Sequence, residues 1–286
     1  MNRQRHTYPV KLMARVLEVS RSGFYAWLKR PPSVRSQNDE KMKPLIRIAH
    51  KVGRGTYGPL RLQTELEATG TFLGRDQIAR LRREMGMKCI QKRKFKATTN
   101  SAHSLPVVAN LLDQRFTVSE PGTVYGTDIT YIPTDEGWLY LAGVKDLATK
   151  ELIGHAMGSR MTKELTHTAL DRAARYRRPE PGCIHHSDRG SQYCAISYQK
   201  AVVALHMRPS MSRKGNCYDN APVESFWGSL KEELVYHRRF RTRAEAQAAI
   251  QEYIVVFYNR MRRHSALGNV APAIFAENYL SERRSA

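Results

Sequence analysis

Apolar residues recur at three- and four-residue intervals along the front of the chain. Beyond residue 118 they give way to short runs rich in β-branched and aromatic side chains. A helical front followed by a strand-bearing middle is the reading. Within residues 9–29, Pro9 suits a first helical turn and Leu12, Met13, Val16 and Leu17 repeat at helical spacing. Glu18-Val19-Ser20 predicts a tight turn, with Ser20 capping a second helix that carries Phe24, Trp27 and Leu28 before Pro31-Pro32 ends it. These are the proportions of a helix-turn-helix whose second helix would present Arg21 and Ser22 near its N-terminus, where base contacts are made. An ordinary helical hairpin with a basic solvent face has the same pattern.

A second helical module follows. Leu45, Ile48, Ala49 and Val52 form one stripe, Gly53-Arg54-Gly55 interrupts it, and residues 59–68 resume a helix. Asp76 is expected to cap a third helix with Ile78, Leu81 and Met85 inward and Arg75, Arg80, Arg82 and Arg83 available to a partner. Gly86 closes it. Lys92, Arg93, Lys94 and Lys96 then surround Phe95, a composition that suits an arm tracking a nucleic-acid backbone into a groove, and also a solvated linker. Residues 97–106 are small and polar and predict a domain boundary. The organisation expected is a helix-turn-helix over 1–38, a second DNA-binding module with arm and linker over 39–106, a core over 107–240, and a helical extension over 241–286.

Strands are predicted over residues 123–132, 138–144 and 151–157, joined by short connections as an antiparallel meander. A helix over 163–177, a short strand over 183–187, a helix over 191–205, a strand over 207–210 and a polar loop complete the middle. The last helix, residues 220–234, has Asn220 as its cap and Pro222 in its first turn. This order, three strands and then alternating helix and strand, is that of a ribonuclease-H-like α/β fold with a mixed five-stranded sheet, here preceded by all-α modules.

Charge changes the picture more than composition does. The chain of 286 residues has a formal net charge of +21. Residues 1–115 hold 24 basic and 8 acidic side chains, residues 116–230 hold 13 and 12, and residues 231–286 hold 10 and 6. A basic front beside a nearly neutral middle points to a polyanion, most often nucleic acid. Cys89, Cys183, Cys194 and Cys217 fall singly, which argues against a disulfide framework and a thiol-held zinc. No apolar run approaches the ~20 residues of a membrane span, and the first ten residues lack a secretory pattern, so a cytoplasmic, nucleoid-associated protein is expected.

Three acids carry the candidate chemistry. Asp128 lies inside the first strand, where an acid needs a partner or a metal. Asp188 ends the fourth strand and Glu224 lies in the first turn of the last helix, with Lys231 two turns on along the same face. Phosphodiester attack needs an activated hydroxyl and a stabilised leaving oxygen, and two divalent ions held by a few carboxylates provide both. Asp128 would bridge two Mg²⁺ ions, with Mn²⁺ as a substitute, while Asp188 and Glu224 each hold one. Zinc at Cys183, His185 and His186 is disfavoured because neighbours on a strand point apart, and no GxSxG accompanies Ser187 or Ser191.

The segments YGTDITYI (125–132), HHSDRGSQY (185–193), SMSRKGNCYDNAPVESFWGSLKEEL (210–234) and YNRMRRHSALGNVAP (258–272) closely resemble bacterial insertion-sequence transposases of the DDE class made from two overlapping reading frames. More distantly they resemble retroviral integrases. The likeness runs from about residue 8 to 278. It implies a downstream-frame transposase with Asp128, Asp188 and Glu224 as catalytic triad and Lys231 as a DNA contact. It implies double-stranded DNA, both terminal repeats and target, as substrate, a homo-oligomer on DNA, and the upstream-frame product as a further partner. The implied reaction is cleavage at an element end followed by joining of the freed 3′-OH. A stand-alone nuclease and a catalytically idle DNA-binding regulator are the other readings.

Overall fold

The computed structural model describes residues 1–90, 107–213 and 216–285. The basic run Lys92, Arg93, Lys94 and Lys96 lies outside them. In the front, α1 (Val10–Val16) and α2 (Arg21–Lys29) flank the predicted turn, and the Ser20 hydroxyl accepts from the Gly23 N–H at 3.2 Å. Their expected apolar stripe is largely uncovered among the described residues: only Ala14 and Phe24 are buried, while Leu12, Val16, Leu17 and Trp27 are exposed.

The second module has a core of its own. Helices α3 (Val34–Val52), α4 (Pro59–Glu67) and α5 (Arg75–Glu84) pack Ile46, Ala49, Tyr57, Leu62, Leu66, Ile78 and Leu81 together. Three expectations are corrected here. The buried stripe of α3 runs through Ile46 and Ala49, and Ile48 faces out, because the helix begins at Val34 and its phase is set by packing against α4 and α5. Gly74, not Asp76, is the N-cap of α5; Asp76 lies in the first turn and accepts from Arg75. Arg82 is buried and donates to the Cys89 sulfur, so it is not available to a partner. The module also touches the C-terminal part of the chain: Arg54 pairs with Glu252 and lies over the Phe257 ring, Arg263 pairs with Glu65, and the Arg263 backbone N–H donates to the Tyr57 hydroxyl at 2.9 Å.

The middle is a five-stranded sheet in the order β3-β2-β1-β4-β5. Strands β1 (Val124–Thr134), β2 (Gly137–Asp146) and β3 (Leu152–Gly158) form the antiparallel meander; β4 (Ile184–Ser187) and β5 (Arg208–Met211) join β1 in parallel. One face is covered by α6 (Lys163–Tyr176) and by α7 (Ser191–Cys194) and α8 (Ile196–Ala204), which break at Ala195 where a single helix was expected. Gly154 lets α6 lie directly on β3, since a Cβ there would stand 2.4 Å from the Ala169 carbonyl.

The other face is covered by α9 (Ala221–Glu233). Behind it stand α10 (Arg243–Glu252) and a π-helical turn, Tyr253–Tyr258, which runs on from α10. Val223, Phe226, Trp227 and Leu230 of α9 pack with Ile132, Leu139 and Leu141 of the sheet and with Ile250, Ile254, Phe257 and Tyr258, so one core crosses residue 240. Glycine makes the close approach possible. A Cβ on Gly126 would stand 2.7 Å from Val223, and one on Gly143 2.7 Å from the Trp227 ring. The last helix, α11, spans Pro272–Ser285.

Candidate active site

Register places the first two acids. In the parallel pair β1–β4, Gly126 stands opposite His186, so Asp128 and Asp188, each two residues further on, emerge side by side where β4 stops. β4 has four residues against eleven in β1, which leaves the edge of β1 open beyond that point. The Asp188 carboxylate accepts the Gly190 N–H at 2.8 Å, so the DRGS turn sets its side-chain direction.

Helix α9 brings the third acid, and three contacts from its first two turns fix it on the sheet. The Lys145 ammonium on β2 donates to the Pro222 carbonyl at 2.9 Å. The Asn220 amide donates to the Thr127 carbonyl at 3.3 Å, so Asn220 stands at the cap position but bonds across to β1 instead of capping the helix as expected. The Trp227 indole N–H donates to Asp128 Oδ2 at 3.0 Å. Trp227 follows Glu224 by one turn, so the helix that carries one acid also holds another in place.

The electrostatics of the three are cooperative and unfavourable. Burial raises the Asp128 pKa well above the usual carboxylate value, and the neighbouring Asp188 and Glu224 raise it further, against hydrogen bonds from the Ile129 N–H and Trp227. The residue keeps part of its surface open to solvent although its carboxyl is packed in protein. Glu224 is exposed at the mouth of the site; partial burial of its carboxyl, then Asp188, raise its pKa too. Lys231 stands on the same helix face with its ammonium 5.0 Å from the centre of the Tyr131 ring; burial lowers its pKa and the Asp128 charge opposes that.

Other buried acids are bonded within the fold, although burial raises the pKa of Asp146 and Glu151 as well. Asp219 takes both arms of the Arg213 guanidinium together with the Asn110 and Gln114 amides, and Arg213 holds its carboxyl far below the usual range. Asp146 accepts the backbone N–H groups of Gly122, Ala148 and Thr149. Glu151 is bonded by Tyr176 and Arg177. These three build turns and joints. The arrangement at Asp128 instead accumulates negative charge, which a cation would relieve. Among the described residues no three His, Cys, Asp or Glu side chains converge on one metal position.

Sequence reasoning passed over Lys145, Trp227 and Asp219. Lys145 was missed because the strand was expected to stop at Val144, whereas it runs to Asp146. Its burial lowers its pKa to about 7, an effect that Lys150 and Arg262 reinforce. Of the expected DNA contacts in the front, Arg21, Ser22, Arg75 and Arg83 are exposed, while Arg80 is engaged by Asp39 and Glu84. His185 bonds Tyr198 through Nε2 while its Nδ1 is buried without a partner, and His186 is bonded at both ring nitrogens by Ser210 and Ser212.

Comparison with known proteins agrees with this architecture. Integrase core domain profiles match residues 118–217 and 205–272, and an HTH-like domain profile matches residues 36–95. The chain is 57% identical over 267 residues to the insertion element IS600 uncharacterized 31 kDa protein of Shigella sonnei, covering 93% of this chain and 98% of that one. It is 41% identical over 276 residues to the transposase InsF for insertion sequence IS3A of Escherichia coli K12, covering 96% of each. Among solved structures, the HTLV-2 integrase catalytic core domain in complex with magnesium is similar at TM-score 0.42 and 13% identity, over 54% of this chain and 96% of that one. No described helix is long and apolar enough to cross a membrane. With an integrase core behind an HTH-like domain and 41% identity to InsF over 96% of each chain, the chain belongs to the transposases of IS3-type insertion sequences.

Proposed function

We propose that Asp128, Asp188 and Glu224 are the catalytic carboxylates of a phosphodiester-transfer site and that they hold two divalent cations, Mg²⁺ or Mn²⁺. The observation that carries the reading is that Asp128 and Asp188 emerge side by side at the open end of β1, where Asp188 raises the pKa of both Asp128 and Glu224, whereas Asp219, Asp146 and Glu151 are hydrogen-bonded within the fold. Cations bound there supply Lewis acidity at a phosphate oxygen and lower the pKa of an attacking hydroxyl. Asp128 would share both positions. Trp227 holds its carboxylate in one rotamer. Lys231 contacts the phosphate beside the scissile bond.

Two exchanges of the same kind follow. A water oxygen attacks the phosphorus at the element end, the P–O3′ bond breaks, and the departing 3′ oxygen takes up a proton. The new 3′-OH then attacks a second phosphodiester, loses its proton, and releases another 3′-OH there. Water and DNA hydroxyls are the nucleophiles, so no bond to the protein forms. Double-stranded DNA is the substrate; Arg21, Ser22, Arg75, Arg83 and the run from Lys92 to Lys96 supply its contacts, in further copies of the chain and with the upstream-frame product as partner. The site of action is the bacterial nucleoid.

The test is direct. The purified chain is incubated with DNA bearing the element's ends, with Mg²⁺ or with EDTA, and nicks and joints are mapped on denaturing gels. Nicks at the ends and joined strands in Mg²⁺ only are expected. Full activity in EDTA contradicts the metal reading, and cleavage without joining reduces the protein to a nuclease.

A further inference from the structure

The β1–β2 hairpin runs well past the end of β4, and its far part carries two aromatic rings into solvent. Tyr131 and Trp138 are 40% and 48% exposed, with ring centroids 4.9 Å apart in an edge-to-face arrangement. Large rings are seldom left open in pairs, and exposed aromatics beside cations form the surface on which bases stack. Tyr131 lies three residues beyond Asp128, about 10 Å along the open edge of the strand, and the alternation of side chains puts it on the opposite face of the sheet. The Lys231 ammonium stands over the Tyr131 ring. The segment after α9 brings exposed Arg238, Arg239 and Arg241 to the same tip, where Arg239 pairs with Asp135 and Arg243 donates to the Trp138 carbonyl. The tip is therefore a basic, aromatic ledge on the far face of the hairpin, with Lys231 at the open edge between it and the carboxylates.

We infer that Tyr131 and Trp138 form a stacking subsite for an unpaired base of the DNA strand held at Asp128, Asp188 and Glu224, with Lys231 and the arginines of the α9–α10 segment on its phosphates. The inference rests on the DNA-processing reading above and adds a ligand class to it. Strand cutting at a duplex end frees bases from pairing, and a base parked on the ledge would hold the frayed strand open beside the carboxylates. Stacking tolerates any base, because every base has a π-face.

The full chain is titrated without divalent cation into forked duplexes that carry 2-aminopurine at one position of the unpaired arm, and into the fully paired duplex. Wild type should alter the emission at one or two arm positions. Trp138→Leu should lose that change and bind the fork about 10-fold more weakly, with paired-duplex affinity unchanged. Trp138→Phe should restore most of both, and melting curves report whether either variant disturbs the fold. The proposal is overturned if Trp138→Leu keeps the emission change. It is also overturned if that variant weakens paired and forked DNA equally, which would make the ring a prop for the hairpin, or if the rings bury against a second copy of the chain in DNA-free protein. A chain that binds no DNA in either form sinks this inference together with the DNA-processing reading. Binding to both forms without discrimination sinks this inference alone.

Discussion

Helix α9 carries an acid at each end, and the two are treated in opposite ways. At its last turn Glu233 is buried and clasped by Arg262, with donor distances of 2.6–3.0 Å, and by the Tyr253 hydroxyl at 2.7 Å. At its first turn Glu224 is exposed near Asp188, which raises its pKa, and both raise that of Asp128. The C-terminal end is neutralised by the chain's own cation; at the N-terminal end neighbouring carboxylates oppose one another, and the proposed divalent cations would sit there. The contrast teaches that a buried acid marks chemistry when its neighbours oppose its charge and marks architecture when they complete it.

The largest expected effects lie at the first end. Asp128→Asn, Asp188→Asn and Glu224→Gln are near-isosteric and should each reduce cleavage and joining by more than about 100-fold, beyond what loss of an outer partner costs, while DNA binding in gel-shift assays persists. A variant that cuts normally on saturating DNA would remove its residue from the site.

At the second end the same kind of change should unfold instead of inactivate. Glu233→Ala leaves Arg262 buried without its partner, at a cost of about 3–5 kcal/mol. For a chain of this size that is a fall in Tm of roughly 10 °C by calorimetry. An unchanged Tm would mean that the two ends do not differ as described.

Trp227→Phe sharpens the comparison, although besides the N–H to Asp128 it removes the part of the indole that lies over Gly143. Metal-dependent activity should fall by about 10–100-fold, while the lost packing should lower Tm by only a few degrees. Equal losses in both would make Trp227 a packing residue only.

How much of this was legible in the chain depends on which interactions are local. The succession of elements along the chain and the positions of Asp128, Asp188 and Glu224 within them follow from short-range patterns: a β-rich run, a turn at DRGS, and a proline in a first helical turn. The contacts of Trp227, Lys145 and Asn220 do not, since they depend on where α9 settles, and that depends on Gly126 and Gly143 lying in register across two strands. The phase of α3 was misjudged for the same reason: Ile46 and Ile48 are equally apolar, and only packing against α4 and α5 selects between them. Tyr253, Ile254, Phe257 and Tyr258 pack behind α9, a partner that nothing local in the run YIVVFY specifies.

A smaller effect concerns pH. Burial lowers the pKa of His185 to about 3 and of His186 to about 4, from an ordinary 6.5, so the unfolded chain binds more protons than the folded one in between. Both histidines therefore contribute stability that is full above pH 6.5 and is lost as pH falls toward 4. Tm should drop across that window, and a double His185→Gln, His186→Gln variant should show a shallower drop than wild type.

The central claim is that the carboxylates at the start of α9 repel one another until a divalent cation is bound, and calorimetry with and without Mn²⁺ tests it without DNA. Without cation, Asp128→Asn should melt higher than wild type, because one buried charge is gone. Mn²⁺ should raise the Tm of wild type and leave Asp128→Asn nearly unmoved. A wild type that melts higher than the variant without cation, or equal Mn²⁺ shifts in both, would contradict the account.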